Sequence, residues 1–193
     1  AFEEVVLVGV SQPISEWSYQ IRRAEDVAWA VSRAFYIART GRPGPVVLDF
    51  AKNAQVEEID YNPQKVDFIR SYVPYPKLEK EAVRQAAELI NDAKKPLALV
   101  GQGVELGNAQ SELKAFLEKA DIPAGRTMLG LSALPSDHPL NVGMLGMHGN
   151  YAVNLKEQEC DVLIAIGMRF SDRVTGNLKT YAKQAKIIHL DID

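Results

Sequence analysis

Eight consecutive residues, Arg169-Phe170-Ser171-Asp172-Arg173-Val174-Thr175-Gly176, follow Gly167-Met168 and the all-apolar run Val162–Ile166. Open α/β sheets bind ligands beyond the carboxyl ends of their strands. Two guanidinium forks placed there match phosphate oxygens, with Asp172 and Thr175 as a polar rim. An exposed loop with an ordinary Asp172–Arg173 ion pair is the plainer alternative. A second candidate is Gly101-Gln102-Gly103-Val104-Glu105-Leu106-Gly107, directly after the apolar run 97–100. Glycines behind a strand let a diphosphate approach the backbone at a helix N-terminus. The G-x-G-x-x-x-G spacing is one residue longer than the dinucleotide fingerprint, so a simple strand-to-helix turn competes with it.

A third stretch, Gly143-Met144-Leu145-Gly146-Met147-His148-Gly149, suits close packing of backbone and adaptable methionine against a flat ligand. His148 is either a donor to that ligand or a loop histidine, and core methionines in a glycine-rich loop are the alternative. The acidic terminus Asp191-Ile192-Asp193 closes another apolar run; it would accept hydrogen bonds from ribose hydroxyls, or simply be solvated. No nucleophile–base pair, carboxylate pair or metal-ligand cluster of defensible spacing accompanies these motifs. Neither a catalytic residue nor a metal site is therefore expected within the chain.

Composition narrows the classes. Acidic residues (25) outnumber Lys and Arg (22), giving a formal charge of -3 that argues against a nucleic-acid surface. No apolar run reaches the roughly 18 residues of a membrane span, and no signal-peptide pattern opens the chain. The single cysteine, Cys160, excludes an internal disulfide and reads as a small buried hydrophobe. A cytoplasmic location follows as the expectation.

The elements that position these motifs come from periodicity. Residues 25–39 carry a stripe of Val27, Ala30, Val31, Ala34, Phe35 and Ala38 at helical spacing, stopped by Gly41 and Pro43. Residues 45–50 read as a buried strand. Periodicity fades over 51–78, where Pro63, Pro74 and Pro76 interrupt the chain. Phe68, Ile69, Tyr72, Val73 and Tyr75 make this segment too apolar for a free tether, so it is expected to lie over a surface, with a domain boundary near Tyr75. A helix is predicted over 79–93, with Ala82, Val83, Ala86, Leu89, Ile90 and Ala93 inward, then a strand over 97–100. A helix over 109–120, with Leu113, Phe116, Leu117 and Ala120 on one side, and buried strands over 162–166 and 187–190 complete the pattern. Such alternation means a Rossmann-like parallel α/β sheet, preceded by part of another α/β layer. The start at Ala1 without Met and the end on an apolar strand predict an internal piece of a longer polypeptide.

In this order, Thr40-Gly41-Arg42-Pro43-Gly44-Pro45-Val46, the 143–149 stretch, the 169–176 stretch and Ile187-Ile188-His189-Leu190-Asp191-Ile192-Asp193 resemble the acetohydroxyacid (acetolactate) synthase large subunit, a thiamine-diphosphate-dependent family. The resemblance covers essentially the whole chain. It implies the C-terminal part of a thiamine-pyrimidine-binding domain over 1–58, a linker over 59–78, and a central FAD-binding domain over 79–193. It further implies condensation of pyruvate with a second pyruvate or 2-oxobutyrate, with loss of carbon dioxide, in branched-chain amino-acid synthesis. FAD in the family is not used for redox turnover.

Residue by residue, the resemblance puts Arg42, Gly101 and Gly103 beside FAD, together with Thr127, Met128 and Leu129. Leu145, His148, Gly167 and Arg169 join them, as do Arg173, Val174, Asp191 and Ile192. Lys52, Met147, Asp172 and Arg173 match positions lining the substrate channel. The family usually reads Asp-x-Pro-Lys-Asp where this chain has Asp49-Phe50-Ala51-Lys52-Asn53, and Met168 and Ser171 replace a common Ala and Asp. The thiamine-diphosphate and Mg2+ motifs and the activating glutamate are not in these 193 residues, which implies that the piece alone is inactive. The intact subunit is expected as a homodimer or higher homo-oligomer, with a small regulatory subunit as a further partner. Two rivals remain: a stand-alone NAD- or ADP-binding module, and the middle domain of another thiamine-diphosphate oxidase or decarboxylase.

Overall fold

The computed structural model describes residues 5–192, so Asp193 of the acidic terminus lies outside the described residues. Two compact units divide after Lys77, the second comprising Leu78–Asp191.

In the first unit, α1 (Leu7–Ser11) precedes β1 (Trp17–Ile21), α2 (Val27–Arg39) and β2 (Val46–Phe50). The two strands pair in parallel, Trp17 with Val46 through Ile21 with Phe50. Helix α2 ends where Gly41 takes φ +61°, and the Thr40 N–H donates to the Tyr36 carbonyl at 3.2 Å. Its buried row is Ala30, Ala34 and Ile37, whereas Phe35 is 63% exposed. The expected stripe was too wide because a two-stranded sheet meets only a narrow strip of helix. After β2, residues 56–78 hold no helix or strand. Two apolar anchors of the segment are buried or bonded: Ile69 is buried, and the Tyr72 hydroxyl donates to the Thr40 carbonyl at 2.9 Å. Phe68, Val73 and Tyr75 are exposed instead of packed.

The second unit is a five-stranded parallel sheet in the order β5-β4-β3-β6-β7. Its strands are β3 (Pro96–Val100), β4 (Ala124–Arg126), β5 (Asn141–Met144), β6 (Val162–Ile166) and β7 (Lys186–Leu190). The helices are α3 (Lys80–Asp92), α4 (Gly103–Leu106), α5 (Gln110–Ala120), α6 (Tyr151–Glu159) and α7 (Asp172–Thr175). Alternation along β3 and β6 feeds two cores. Ala98, Val100, Val162 and Ile164 pack with Leu113 and Leu117, while Leu97, Leu99, Leu163 and Ala165 pack with Val153, Cys160 and Met168. Strands covered on both faces read as continuous apolar runs, which is why these two are plain in the sequence.

Two expectations are corrected here. Strand β7 is not buried: only Ile188 is, and Ile187 and Leu190 are each about half exposed, because β7 is an edge strand. Helix α3 has no buried residue; Ala82 and Val83 face solvent, and Ala86, Leu89, Ile90 and Ala93 are half-buried against the first core.

Candidate nucleotide site at the carboxyl edge

The strand order reverses between β3 and β6, because the chain leaves β3 toward β4 and β5 and returns to the other side. A crevice outside the carboxyl ends forms at such a reversal. Here it is built from glycine backbone. The Gly101 N–H donates to the Ile166 carbonyl and the Gly103 N–H to the Gly167 carbonyl, both at 2.9 Å. A Cβ on Gly101 would stand 2.2 Å from the Gly167 carbonyl oxygen, and one on Gly103 would stand 2.6 Å from the Gly167 Cα. Gly130, in the turn after β4, would clash with the Val100 carbonyl at 2.5 Å in the same way.

The glycine turn after β3 is thus consumed by packing of one backbone on another. The N–H groups of Glu105 and Leu106 also donate to the Gln102 carbonyl, each at 3.0 Å. The four-residue α4 has no array of free amides to offer a diphosphate. The groups at this edge that remain available to solvent are side chains.

Those side chains stand on the loops around the crossing. Behind β4, Thr127 caps the next turn by accepting the Gly130 N–H at 3.1 Å, and Met128 and Leu129 project with about 60% exposure. Behind β5 and β6, two loops are tied together: the Met147 N–H donates to the Arg173 carbonyl at 2.8 Å. Asn154 of α6 clamps Gly146 through both its N–H and its carbonyl, at 2.9 Å each. Leu145, Met147, Asp172, Arg173 and Val174 are brought together in this way, with the exposed His148 beside them. Arg173 pairs with Asp172 at 2.8 Å, and both side chains are more than 70% exposed, so this pair adds little to stability. Arg169 is exposed at the end of β6. Asp191 follows β7 with its carboxylate 3.7 Å from His189 Nε2, which also contacts the Met168 carbonyl at 2.9 Å. Ile192 comes next in the chain. Arg42 and Lys52 belong to the first unit, both exposed, with Lys52 opening a turn directly behind β2.

Residues outside the motif reading also shape this edge. The Arg126 guanidinium, buried at the end of β4, donates to the carbonyls of Leu131 and Leu134 at 2.6 Å each and fixes the loop that carries Met128 and Leu129. Beneath the β5 and β6 loops lies an open groove of about 320 Å³ that includes Gly146, Met147, Glu157, Arg173, Thr175 and Tyr181. Glu157 is 2% exposed, and its Oε1 has no hydrogen-bond partner; the Tyr181 hydroxyl is likewise buried and unpartnered. Burial pushes the Glu157 carboxyl up to about 7 and raises the Tyr181 phenol. The Cys160 thiol, pushed up to about 11 by burial and then by Glu157 and Asp161, packs as an inert small hydrophobe, as its isolation suggested. Among the described residues no group of His, Cys, Asp and Glu is arranged to hold a metal ion, and no helix is long and apolar enough to cross a membrane.

A five-stranded parallel sheet with its reversal point lined by glycine, and with a cationic and apolar rim, defines a Rossmann-type parallel α/β layer. Residues 83–193 match the thiamine pyrophosphate enzyme central-domain family, and the chain belongs to that family. It is 45% identical over its whole length to the probable acetolactate synthase large subunit of Methanocaldococcus jannaschii, covering 33% of that protein. It is 42% identical to the acetolactate synthase large subunit of Corynebacterium glutamicum, and 42% identical to the isozyme 2 large subunit of Escherichia coli; it covers 31% and 34% of these. The chain thus spans about a third of the length of these relatives.

Proposed function

We propose that this chain is the segment of an acetolactate synthase catalytic subunit that holds FAD and contributes to the substrate channel. The reading is supported above all by the identity of 41–45% to acetolactate synthase large subunits along the full chain. The donor set at the carboxyl edge fits a flavin dinucleotide. Met128 and Leu129 offer an exposed apolar ledge of the kind a flat ring system covers. Arg169 and Arg173 supply planar cations suited to a diphosphate. Asp191, close behind the edge strand, is the acceptor suited to ribose hydroxyls.

In the complete enzyme the substrates are pyruvate with a second pyruvate or 2-oxobutyrate, giving an acetohydroxy acid and carbon dioxide. Thiamine diphosphate, held with Mg2+ by other segments, supplies the carbon-centred chemistry when bound. This chain's part is positional: Met147, Asp172 and Arg173 wall the channel, and the resemblance assigns Lys52 to it as a further cation. Assembly as a homodimer or higher oligomer with a small regulatory subunit, and a cytoplasmic location, belong to the same proposal.

The test is a titration of the chain with FAD followed by flavin fluorescence, with NAD and ADP as competitors. Saturable binding that NAD does not displace supports the proposal. Displacement of FAD by NAD at similar concentrations would favour a general dinucleotide module instead. With pyruvate, thiamine diphosphate and Mg2+, the chain alone should release no acetolactate.

A further inference from the structure

The groove between α6 and the segment 172–181 has a feature that channel walls do not require. Its inner surface carries the buried Glu157 Oε1 and the buried Tyr181 hydroxyl, and neither has a partner in the protein. A buried polar atom without a hydrogen bond has lost its hydration with nothing in return, so two in one wall call for an occupant. Thr175 stands beside them with its hydroxyl proton already given to the Ser171 carbonyl at 3.2 Å, which leaves its oxygen as an acceptor. The inner groove thus offers three oxygens that can accept, of Glu157, Tyr181 and Thr175, with the Tyr181 hydroxyl still holding a proton of its own to give.

Charge points the same way. Asp172 at the mouth is neutralised by Arg173, and Lys156 on α6 pairs with Glu159 at 3.1 Å. Tyr181 and Cys160, the two groups whose protons Glu157 holds more tightly in place, carry no positive charge. Glu157 is left as the carboxyl without a counterion, while Met147 and Val174 line the groove with apolar surface.

We propose that this groove is a binding site for a small primary alkylammonium group, with the ammonium donating to Glu157, Tyr181 and Thr175 and the alkyl chain lying along Met147 and Val174. Three N–H donors match three acceptors, and a buried carboxylate is stabilised when a hydrogen-bonded cation joins it. The site shares Val174 with the flavin proposal and Met147 with the channel, but none of its three acceptors is assigned to either. Binding also has a proton signature. The Glu157 carboxyl, standing at about 7, is partly protonated at neutral pH and must ionise to hold a cation.

The experiment is a titration of the chain with n-butylammonium chloride, read by amide chemical shifts. Tetramethylammonium chloride, which has no N–H donor, and sodium chloride at equal ionic strength serve as comparisons. Saturable shifts at Glu157, Val174 and Tyr181 with n-butylammonium only are the expected result. At pH 7 calorimetry in buffers of different ionisation enthalpy should show proton release. Glu157→Gln should weaken binding about tenfold or more, and Tyr181→Phe several-fold. Shifts no different from those of sodium chloride would overturn the proposal and leave the pair as a hydrated pocket, and so would unchanged binding by either variant.

Discussion

Glycine-rich stretches occur at two places on the carboxyl edge and do different work. At the β3–β6 crossing, Gly101, Gly103 and Gly167 face one another, and any side chain there would meet backbone within 3 Å. On the loops behind β5 and β6 the glycines border a surface bearing His148, Arg169, Asp172 and Arg173, all exposed. Gly176 is the extreme case, with φ +57° and nothing within 4 Å of the point where a methyl would stand. The first region is closed on itself; in the second, Gly146 and Gly149 also meet backbone within 3 Å, and Gly176 alone leaves open space, beside side chains that face solvent. Density of glycine in a sequence does not separate the two regions; the exposure of the side chains between the glycines does.

The widest separation between the regions should come from Gly101→Ala. Its methyl would press on the Gly167 carbonyl and the Met168 backbone, none of which can rotate away. A loss of about 3 kcal/mol or more in urea unfolding, or failure to fold, is expected. A loss below about 1 kcal/mol would mean that the crossing is loose, and the contrast with the open loops would collapse.

Glu157, under the open loops, gives the next effect. Its folded-state carboxyl stands at about 7 against an ordinary 4.5, because burial disfavours the charge. The folded protein then holds the proton more tightly than the unfolded chain between these values. Its contribution is fully present below pH 4.5 and declines as pH rises to about 7, by about 3 kcal/mol in all at 1.36 kcal/mol per unit. Glu157→Gln should remove that decline and leave the protein more stable than the wild type at pH 8. Parallel pH–stability curves for the two proteins would show that Glu157 is solvated after all.

How legible each region was follows from the same physics. Strands β3 and β6 are apolar on both faces and were readable from sequence; helices α2, α3 and α5 were readable from their stripes. Strand β4, Ala124-Gly125-Arg126, was not, because its middle residue must be glycine: a Cβ there would meet Val153 Cγ1 at 2.7 Å. Its Arg126 reads as a surface cation but spends its charge on two buried carbonyls. Strand β5 hides behind Gly143 at φ +107° and a register shift against β4, and β1 behind the mixed run Trp-Ser-Tyr-Gln-Ile. At the site, the motif residues of the loops fall together, as at Met147 and Arg173. The bonds that hold them come from Asn154 and Arg126, which have no periodic or motif signature, and from His189 within the terminal motif. At the glycine turn, spacing alone could not reveal that its amides are bonded within the protein and its glycines packed on backbone.

Within the open region, Gly176→Ala should cost only about 1–2 kcal/mol, from its positive φ and not from any clash. A cost equal to that of Gly101→Ala would show that the methyl meets something there and that the loop is not open.

Arg169 is expected to have the smallest effect on folding and the most selective effect on binding. It is exposed behind β6, where its guanidinium braces neither core. Surface substitutions away from structural features stay within about 0.5 kcal/mol, so Arg169→Ala should unfold at the same urea concentration as the wild type. If the open loops bind the diphosphate of FAD, loss of a charge-assisted hydrogen bond should weaken flavin binding about tenfold. Unchanged FAD affinity would remove Arg169 from the site without touching the fold. A large loss of stability would instead move Arg169 to the closed side of the comparison, where residues serve the sheet.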